Sequence, residues 1–303
     1  MPEKISIGID IGGSFIKTAL INNQGKILFL KKISTEAKKT KSKVLKNIIT
    51  AFEISNNEAK KKHIKINNKL GLCTPGFILP NGKITLISNI PSLEEINLVK
   101  ELKKNIKLKI YHENDANCFA LAEHKFGATK NYKNSIGIIW GTGIGSGIII
   151  NNQLYKGYGG SAGEFGHTII NPEAPLKCSS CQRKGDIESF CSAPNIIKYY
   201  KYFGGQNKKA DSIYIMNESD PIAKKVSQQS IKYLSIGLAM LVNTLNPEKI
   251  VLGGGLSNSK HYKQLNKLTN QFVFPNIQNT FKIVKHQIGD YAGIVGAATL
   301  TFK

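Results

Sequence analysis

Arginine is almost missing from this 303-residue chain: Arg183 is the only one among 42 basic residues. Proteins that read base edges or grip many phosphates lean on arginine, whose planar fork bonds them bidentately. The lysines are spread along the whole length, and no helix-turn-helix, zinc-finger array or aromatic RNA-binding motif is found. A nucleic-acid partner is therefore not expected. The net charge of +22 reads as a compositional bias toward Lys, Asn and Ile that still favours anionic ligands such as nucleotides. Long apolar runs are missing too. None approaches the ~20 residues of a membrane span, and Met1-Pro2-Glu3-Lys4 leads straight into strand-like Ile5-Ser6-Ile7-Gly8-Ile9 without the apolar block of a signal peptide. No membrane association and a cytoplasmic location are expected. The five cysteines are an odd number, which argues against a disulfide framework and for reduced thiols or metal ligands.

What is present is an ordinary globular composition, 41% hydrophobic, in a length that suits about two domains. Residues 4–10, 16–21 and 27–33 read as strands, the last two joined by the hairpin signal Asn22-Asn23-Gln24-Gly25. Residues 40–62 form an amphipathic helix with Val44, Ile48 and Phe52 at helical spacing. A strand over 70–74 ends in the turn Pro75-Gly76. A helix over 93–105, a strand over 107–111 and a helix over 117–126 follow. Strands at 135–139 and 147–150, helices at 193–203 and 222–245, a strand at 250–252 and a helix at 291–300 complete the chain. Each half opens on a strand, a glycine turn and another strand.

The stretch Glu113-Asn114-Asp115-Ala116-Asn117 lies between a strand and a helix. Ligands of open α/β sheets bind at such strand ends, and a carboxylate there beside an amide is a natural general base for a hydroxyl nucleophile. Taken alone, Asp115 reads more readily as a helix N-cap. Three glycine loops turn that reading toward chemistry. Asp10-Ile11-Gly12-Gly13-Ser14-Phe15-Ile16-Lys17 exposes backbone N–H groups to a phosphate, with Asp10 placed to hold hydrated magnesium. It lacks the Gly-Lys step and following helix of a P-loop, so it is a hairpin. Trp140-Gly141-Thr142-Gly143-Ile144-Gly145-Ser146-Gly147 is a second loop and fails the dinucleotide glycine pattern. Gly253-Gly254-Gly255 after Ile250-Val251-Leu252 invites a flat nucleoside.

This order of motifs resembles the ROK family of sugar kinases and repressors, within the actin-like ATPase superfamily. The resemblance rests on Asp10 to Lys17, Thr74-Pro75-Gly76, Asn114-Asp115-Ala116, Gly141-Thr142-Gly143, Gly163-Glu164-Phe165-Gly166-His167, Gly185 to Glu188, and Pro247 to Gly255. Ser14 stands where the family usually has Thr and keeps the hydroxyl. The resemblance implies an α/β fold of two actin-like (ribonuclease H-like) domains with a ligand cleft between them. Its expected boundaries are 1–113, with 290–303 packing back on it, and 114–289. It implies ATP and Mg2+ as cosubstrate and metal, bound by Asp10, Gly12, Gly13, Ser14, Lys17, Gly141, Thr142, Gly143, Gly253, Gly254 and Gly255. Asp115 would take the proton from a hexose 6-hydroxyl, and Gly76, Asn89, Asn114, Glu164, His167 and Glu188 would contact the sugar. Glucose is the first substrate expected; N-acetylglucosamine, N-acetylmannosamine and fructose are the alternatives. A homodimer is the expected assembly. The rival is a sugar-responsive regulator; members of that kind carry a DNA-binding domain before the first strand, and here the first phosphate loop is reached at Asp10.

Family members often carry a His followed by three cysteines as a structural zinc site. Here His167, Cys178, Cys181 and Asp186 stand in that segment, with Asp186 in place of the third cysteine. Zinc accepts thiolate, imidazole and carboxylate, so a structural Zn2+ is expected on these four; loss of the site is the alternative. Cys191, Cys73 and Cys118 read as packing thiols. His112 is read as structural, and His63, His124, His261 and His286 as surface residues.

Overall fold

Alternating isoleucines make the first strand, and the computed structural model, which describes residues 3–302, shows what they face. (Met1, Pro2 and Lys303, which belong to the expected terminal segments, lie outside the described residues.) Ile5, Ile7, Ile9 and Ile11 of β1 (Ile5–Ile11) are buried with Val44 and Ile48 of α1 (Lys41–Lys61). Thr40 caps that helix through a bond from Lys43 N–H. Strands β1, β2 (Phe15–Asn22) and β3 (Ile27–Ser34) form an antiparallel meander. On its other side β1 pairs in parallel with β4 (Ile66–Thr74). A two-stranded ribbon, β5 (Phe77–Ile78) with β6 (Ile84–Thr85), follows. After α2 (Leu98–Leu102), β7 (Lys109–Asn114) pairs in parallel with β4, giving the order β3-β2-β1-β4-β7. Helix α3 (Asp115–Phe126) leaves directly from β7.

The second sheet repeats that plan. β8 (Ser135–Trp140) and β9 (Ile144–Ile150) are an antiparallel pair. With β10 (Gln153–Tyr155), β11 (Lys249–Gly253) and β12 (Lys282–Lys285) the order is β10-β9-β8-β11-β12, the last two pairings parallel. Helices α4 (Ile187–Cys191), α5 (Ala193–Tyr202) and α6 (Ser212–Met216) precede the 25-residue α7 (Pro221–Leu245). Asp220 caps α7, Pro221 takes its first turn, and Asn246 ends it in the left-handed region at φ 44°. The α7 face Ile231, Leu234, Leu238, Val242 is buried in one core with Ile138, Ile250 and Leu265 of α8 (Tyr262–Phe272).

The chain ends in α9 (Ala292–Thr299), which lies on β1 and β4. Gly8 makes that approach possible, since a Cβ there would stand 2.6 Å from Ile294 O. Two compact units result: Met1–Lys130 with Leu154–Ala162 and Asp290–Lys303, and Asn131–Gln153 with Gly163–Gly289. The division differs from a boundary at 113/114. Helix α3 goes with the first unit because Cys118 is buried with Cys73 and Ala297. The continuous helix expected over 93–105 is also broken. The Glu94 carboxylate accepts from the N–H groups of Leu86 and Ile87, and Ile96 pairs with Ile84, so the helix starts only after the Asn97 cap. His124 and His261, read as surface residues, are buried. Among the described residues no helix is long and apolar enough to cross a membrane.

Candidate active site

The end of β7 lies beside the end of β4, with Thr74 opposite Asn114. Asn114 has extended backbone (φ −69°, ψ 154°) and its Oδ1 accepts the Asn117 N–H at 3.1 Å, so Asn114, not Asp115, is the cap of α3. Asp115 is therefore the first helical residue, a place where the helix dipole favours a carboxylate. Its Oδ1 accepts from Ala116 N–H (2.8 Å) and Asn114 Nδ2 (3.0 Å). Asn114 Nδ2 also donates to Gly76 O (3.2 Å), and Gly76 holds φ 87°, a turn that a side chain would strain. Gly76, Asn114 and Asp115 are thus brought together. His112, one turn of strand away, is buried; burial, with the Lys156 charge, pushes its pKa down to about 3, and its Nε2 meets Thr74 Oγ1 at 2.8 Å.

In the same unit the β1–β2 loop is a tight hairpin, with Gly12 N–H bonded to Phe15 O (3.0 Å) and Thr35 Oγ1 closing on Gly12 O (2.6 Å). Gly13 faces Asn89, whose carbonyl would stand 3.1 Å from a Cβ at 13. Ser14 O receives the Thr35 N–H. Lys17 Nζ lies between Asp10 Oδ2 (3.3 Å) and Asp290 O (3.0 Å). Gly293, in the first turn of α9, lets that helix approach the Asp10 carboxylate. Asp10, Gly12, Gly13, Ser14, Lys17 and Asn89 therefore gather around one loop.

The second unit carries the matching hairpin. Gly141 N–H bonds to Gly143 O (3.1 Å) and Gly141 O receives Ala193 N–H (2.8 Å), with Thr142 exposed at the tip. Gly254, at φ 84°, packs on the Trp140 backbone, and Gly255 N lies 3.6 Å from where a Gly141 Cβ would be. Residues 141–143 and 253–255 are therefore one surface. Glu188 lies under it: its Oε2 accepts the Ile144 N–H (2.7 Å) and its Oε1 accepts from Ser180 and Cys178. That carboxylate is buried and engaged with the protein, whereas Glu164, its expected companion at the sugar, is exposed.

His167 follows in a short turn, its N–H bonded to Glu164 O. Its Nδ1 stands 3.0 Å from Asp186 Oδ2, and Cys181 Sγ donates to the same oxygen at 3.0 Å. One ligand atom from each of His167, Cys178, Cys181 and Asp186 lies within 4.8 Å of the others. Tetrahedral zinc at bond lengths of 2.0–2.3 Å needs donors about 3.3–3.8 Å apart, so this set closes on the ion with small adjustments. Two thiols, an imidazole and a carboxylate are chemically apt donors. Asp186 serves twice, since its other oxygen caps α4 by accepting Ser189 N–H (2.7 Å). Without a metal, the Asp186 hydrogen bond and then Cys178 raise the His167 pKa to about 11. Burial would raise the Asp186 pKa, but bonds from His167, Cys181 and Ser189 N–H outweigh it and lower it. The sole arginine closes this loop: Arg183 O accepts Cys178 N–H (2.8 Å) and Arg183 Nη2 donates to His167 O (3.2 Å). Sequence reasoning missed Arg183 here, although its rarity was a signal, and it missed Glu113, whose place beside Asn114 was visible.

The ROK family model matches residues 6–303. The glucokinase of Thermotoga maritima is 29% identical, over 99% of this chain and 98% of its own length. The N-acetyl-D-glucosamine kinase of Aliivibrio salmonicida is 31% identical, over 98% and 99%. The crystal structure of a ROK family glucokinase from Streptomyces griseus in complex with glucose and AMPPNP matches with a TM-score of 0.79 at 26% identity, over 98% of each chain. The α/β fold of two actin-like units expected from the motifs is the fold found.

Proposed function

This chain belongs to the ROK family, and from that membership we propose that it is an ATP-dependent sugar kinase, transferring the γ-phosphoryl group to the 6-hydroxyl of a hexose. The observation that carries the reading is Asp115 at the junction of β7 and α3, its carboxylate bonded to the Asn114 amide that also bonds Gly76 O. The sugar O6 attacks the γ-phosphorus, ADP leaves, and the O6 proton passes to Asp115. Asn114, Gly76, Asn89, Glu164, His167 and Glu188 are the residues assigned to the sugar. Glu188 would have to share its carboxylate with Ile144 N–H, which makes it the least free of the set. The hairpin of Asp10, Gly12, Gly13, Ser14 and Lys17 and the surface of Gly141, Thr142, Gly143, Gly253, Gly254 and Gly255 hold ATP. Asp10 would hold magnesium, which would supply neutralisation of the phosphate charge when bound. His167, Cys178, Cys181 and Asp186 would hold a structural Zn2+, which would tie down the segment bearing His167 and Glu188. Five free thiols suit a reducing cytoplasm.

Glucose is the preferred substrate in this reading. N-acetylglucosamine, N-acetylmannosamine and fructose remain alternatives, because the relatives include a glucokinase and an N-acetyl-D-glucosamine kinase at nearly equal identity. A panel of these four sugars in a coupled ADP-release assay tests it; sugar-independent ADP release, or none, ends the kinase reading. Asp115→Asn should lower kcat by ~10²-fold or more, since a positioned base is worth about 10²–10⁴. A variant retaining over about a tenth of kcat would remove Asp115 from that role.

A further inference from the structure

Glu113 is buried, 4% exposed, and has no part in the chemistry just described. Its carboxylate is nonetheless fully used. Oε1 accepts the Asn114 backbone N–H (3.1 Å) and Asn117 Nδ2 (3.0 Å), and Oε2 pairs with Lys156 Nζ. The other end of that amide, Asn117 Oδ1, is buried without a partner among the described residues, so Glu113 alone orients it. Asn117 N–H in turn bonds Asn114 Oδ1, and Asn114 Nδ2 bonds Asp115 Oδ1. The bonds form a chain that begins at Glu113 and ends on the proposed base.

Lys156 brings in a second element. It belongs to Leu154–Ala162, a stretch grouped with the first unit although the chain on both sides of it is not. Ala162 N–H bonds back to Lys156 O at 3.1 Å, so the ion pair fixes the base of this loop. Ala162 is covalently followed by Gly163 and Glu164. We infer that Glu113 is a positioning residue with two outputs: it orients Asn114 and Asp115, and through Lys156 it fixes the segment that delivers Glu164. The inference rests on the kinase reading above.

The two outputs separate kinetically. Lys156→Met leaves the bonds of Glu113 to Asn114 and Asn117 in place and releases the segment. It should raise the sugar KM about three- to tenfold and leave kcat within about twofold, the pattern of lost uniform binding. Glu113→Gln keeps an acceptor for Asn114 N–H, loses the ion pair, and should share that pattern. Glu113→Ala removes both outputs. It should also lower kcat by about tenfold or more, because a displacement of about an ångström at a reacting group costs up to about a hundredfold. The ATP KM should not move in any of them. A merely structural role predicts lower melting temperatures with unchanged KM and kcat for the folded protein. Unchanged sugar KM in Lys156→Met and Glu113→Gln overturns the inference, as does Glu113→Ala with a normal kcat. Should Glu113→Ala not fold, the other two decide the matter. Normal turnover by Asp115→Asn breaks the kinase reading itself; normal kinetics in the Glu113 variants beside an inactive Asp115→Asn break only this inference.

Discussion

Replacing Asp186 by Asn separates two duties that the structure gives to one carboxylate. Oδ1 caps α4 through Ser189 N–H at 2.7 Å, and Oδ2 faces His167 Nδ1 and Cys181 Sγ, each at 3.0 Å. Asn caps a helix as well as Asp, so the cap contribution of about 1 kcal/mol is kept. The anionic ligand is not. Two thiolates and a carboxylate around a dication leave one net negative charge; the amide leaves none and offers a weaker oxygen. Zinc affinity should fall by more than the about 10–100-fold, or about 1.4–2.7 kcal/mol, that an outer-sphere change costs. Chelator competition with quantified zinc reads this directly, and circular dichroism should show the fold retained, because the unit has its own core. Parental zinc affinity in Asp186→Asn would refute the ligand assignment. Fully active parent protein free of zinc would refute the site.

Gly254→Ala should destabilise the protein by about 2–4 kcal/mol and raise the ATP KM, since it combines a left-handed φ of 84° with a Cβ 2.5 Å from Trp140 O. Gly255→Ala, whose Cβ meets nothing within 4 Å, is the control, and equal melting temperatures for the two would contradict the argument. His112 should make stability depend on pH. Its folded pKa of about 3 lies below the unfolded 6.5, so its stabilisation is complete above pH 6.5 and is lost as pH falls toward 3, with about 2 kcal/mol gone by pH 5. His112→Gln should flatten that part of the urea-stability difference between pH 7 and 5; an unchanged slope would acquit His112.

The hairpin loops were legible because their signals are local. Paired glycines between apolar strands predicted antiparallel turns rather than a P-loop or a dinucleotide turn, and the registers Ile11 to Ile16 and Trp140 to Ile144 are those turns. What could not be read depends on distant partners. The helix over 93–105 fails because the Glu94 carboxylate is taken by Leu86 and Ile87 N–H groups. His261 is buried because Met216 O lies 2.9 Å from its ring, 45 residues away in sequence. Glu188 was assigned to the sugar from its motif, but its bond to Ile144 N–H spans 44 residues. Asp115 and Asn114 were placed correctly at the strand end, yet which of them caps α3 depended on side-chain geometry that spacing does not encode.

The two roles proposed for Asp186 would also account for how His167, Cys178, Cys181 and Asp186 could hold a metal with only two cysteines. A cysteine at 186 would supply a third thiolate, but cysteine is not among the residues that cap helices well. Asp186→Cys should therefore hold zinc at least as firmly as the parent while Ser189 N–H loses its acceptor, at a cost of about 0.5–2 kcal/mol. The loss falls on α4, and α4 carries Glu188, whose Oε2 holds the Ile144 N–H at the base of the 141–143 loop. A frayed first turn moves that carboxylate, so the variant should show normal zinc content with a raised ATP KM and a lower melting temperature. The Asn variant should show the reverse: weakened zinc binding with the cap intact. If Asp186→Cys matches the parent in both ATP KM and melting temperature, the cap is idle and Asp186 is a ligand alone; if it loses zinc, the carboxylate has a geometric role at the metal that a thiolate cannot fill.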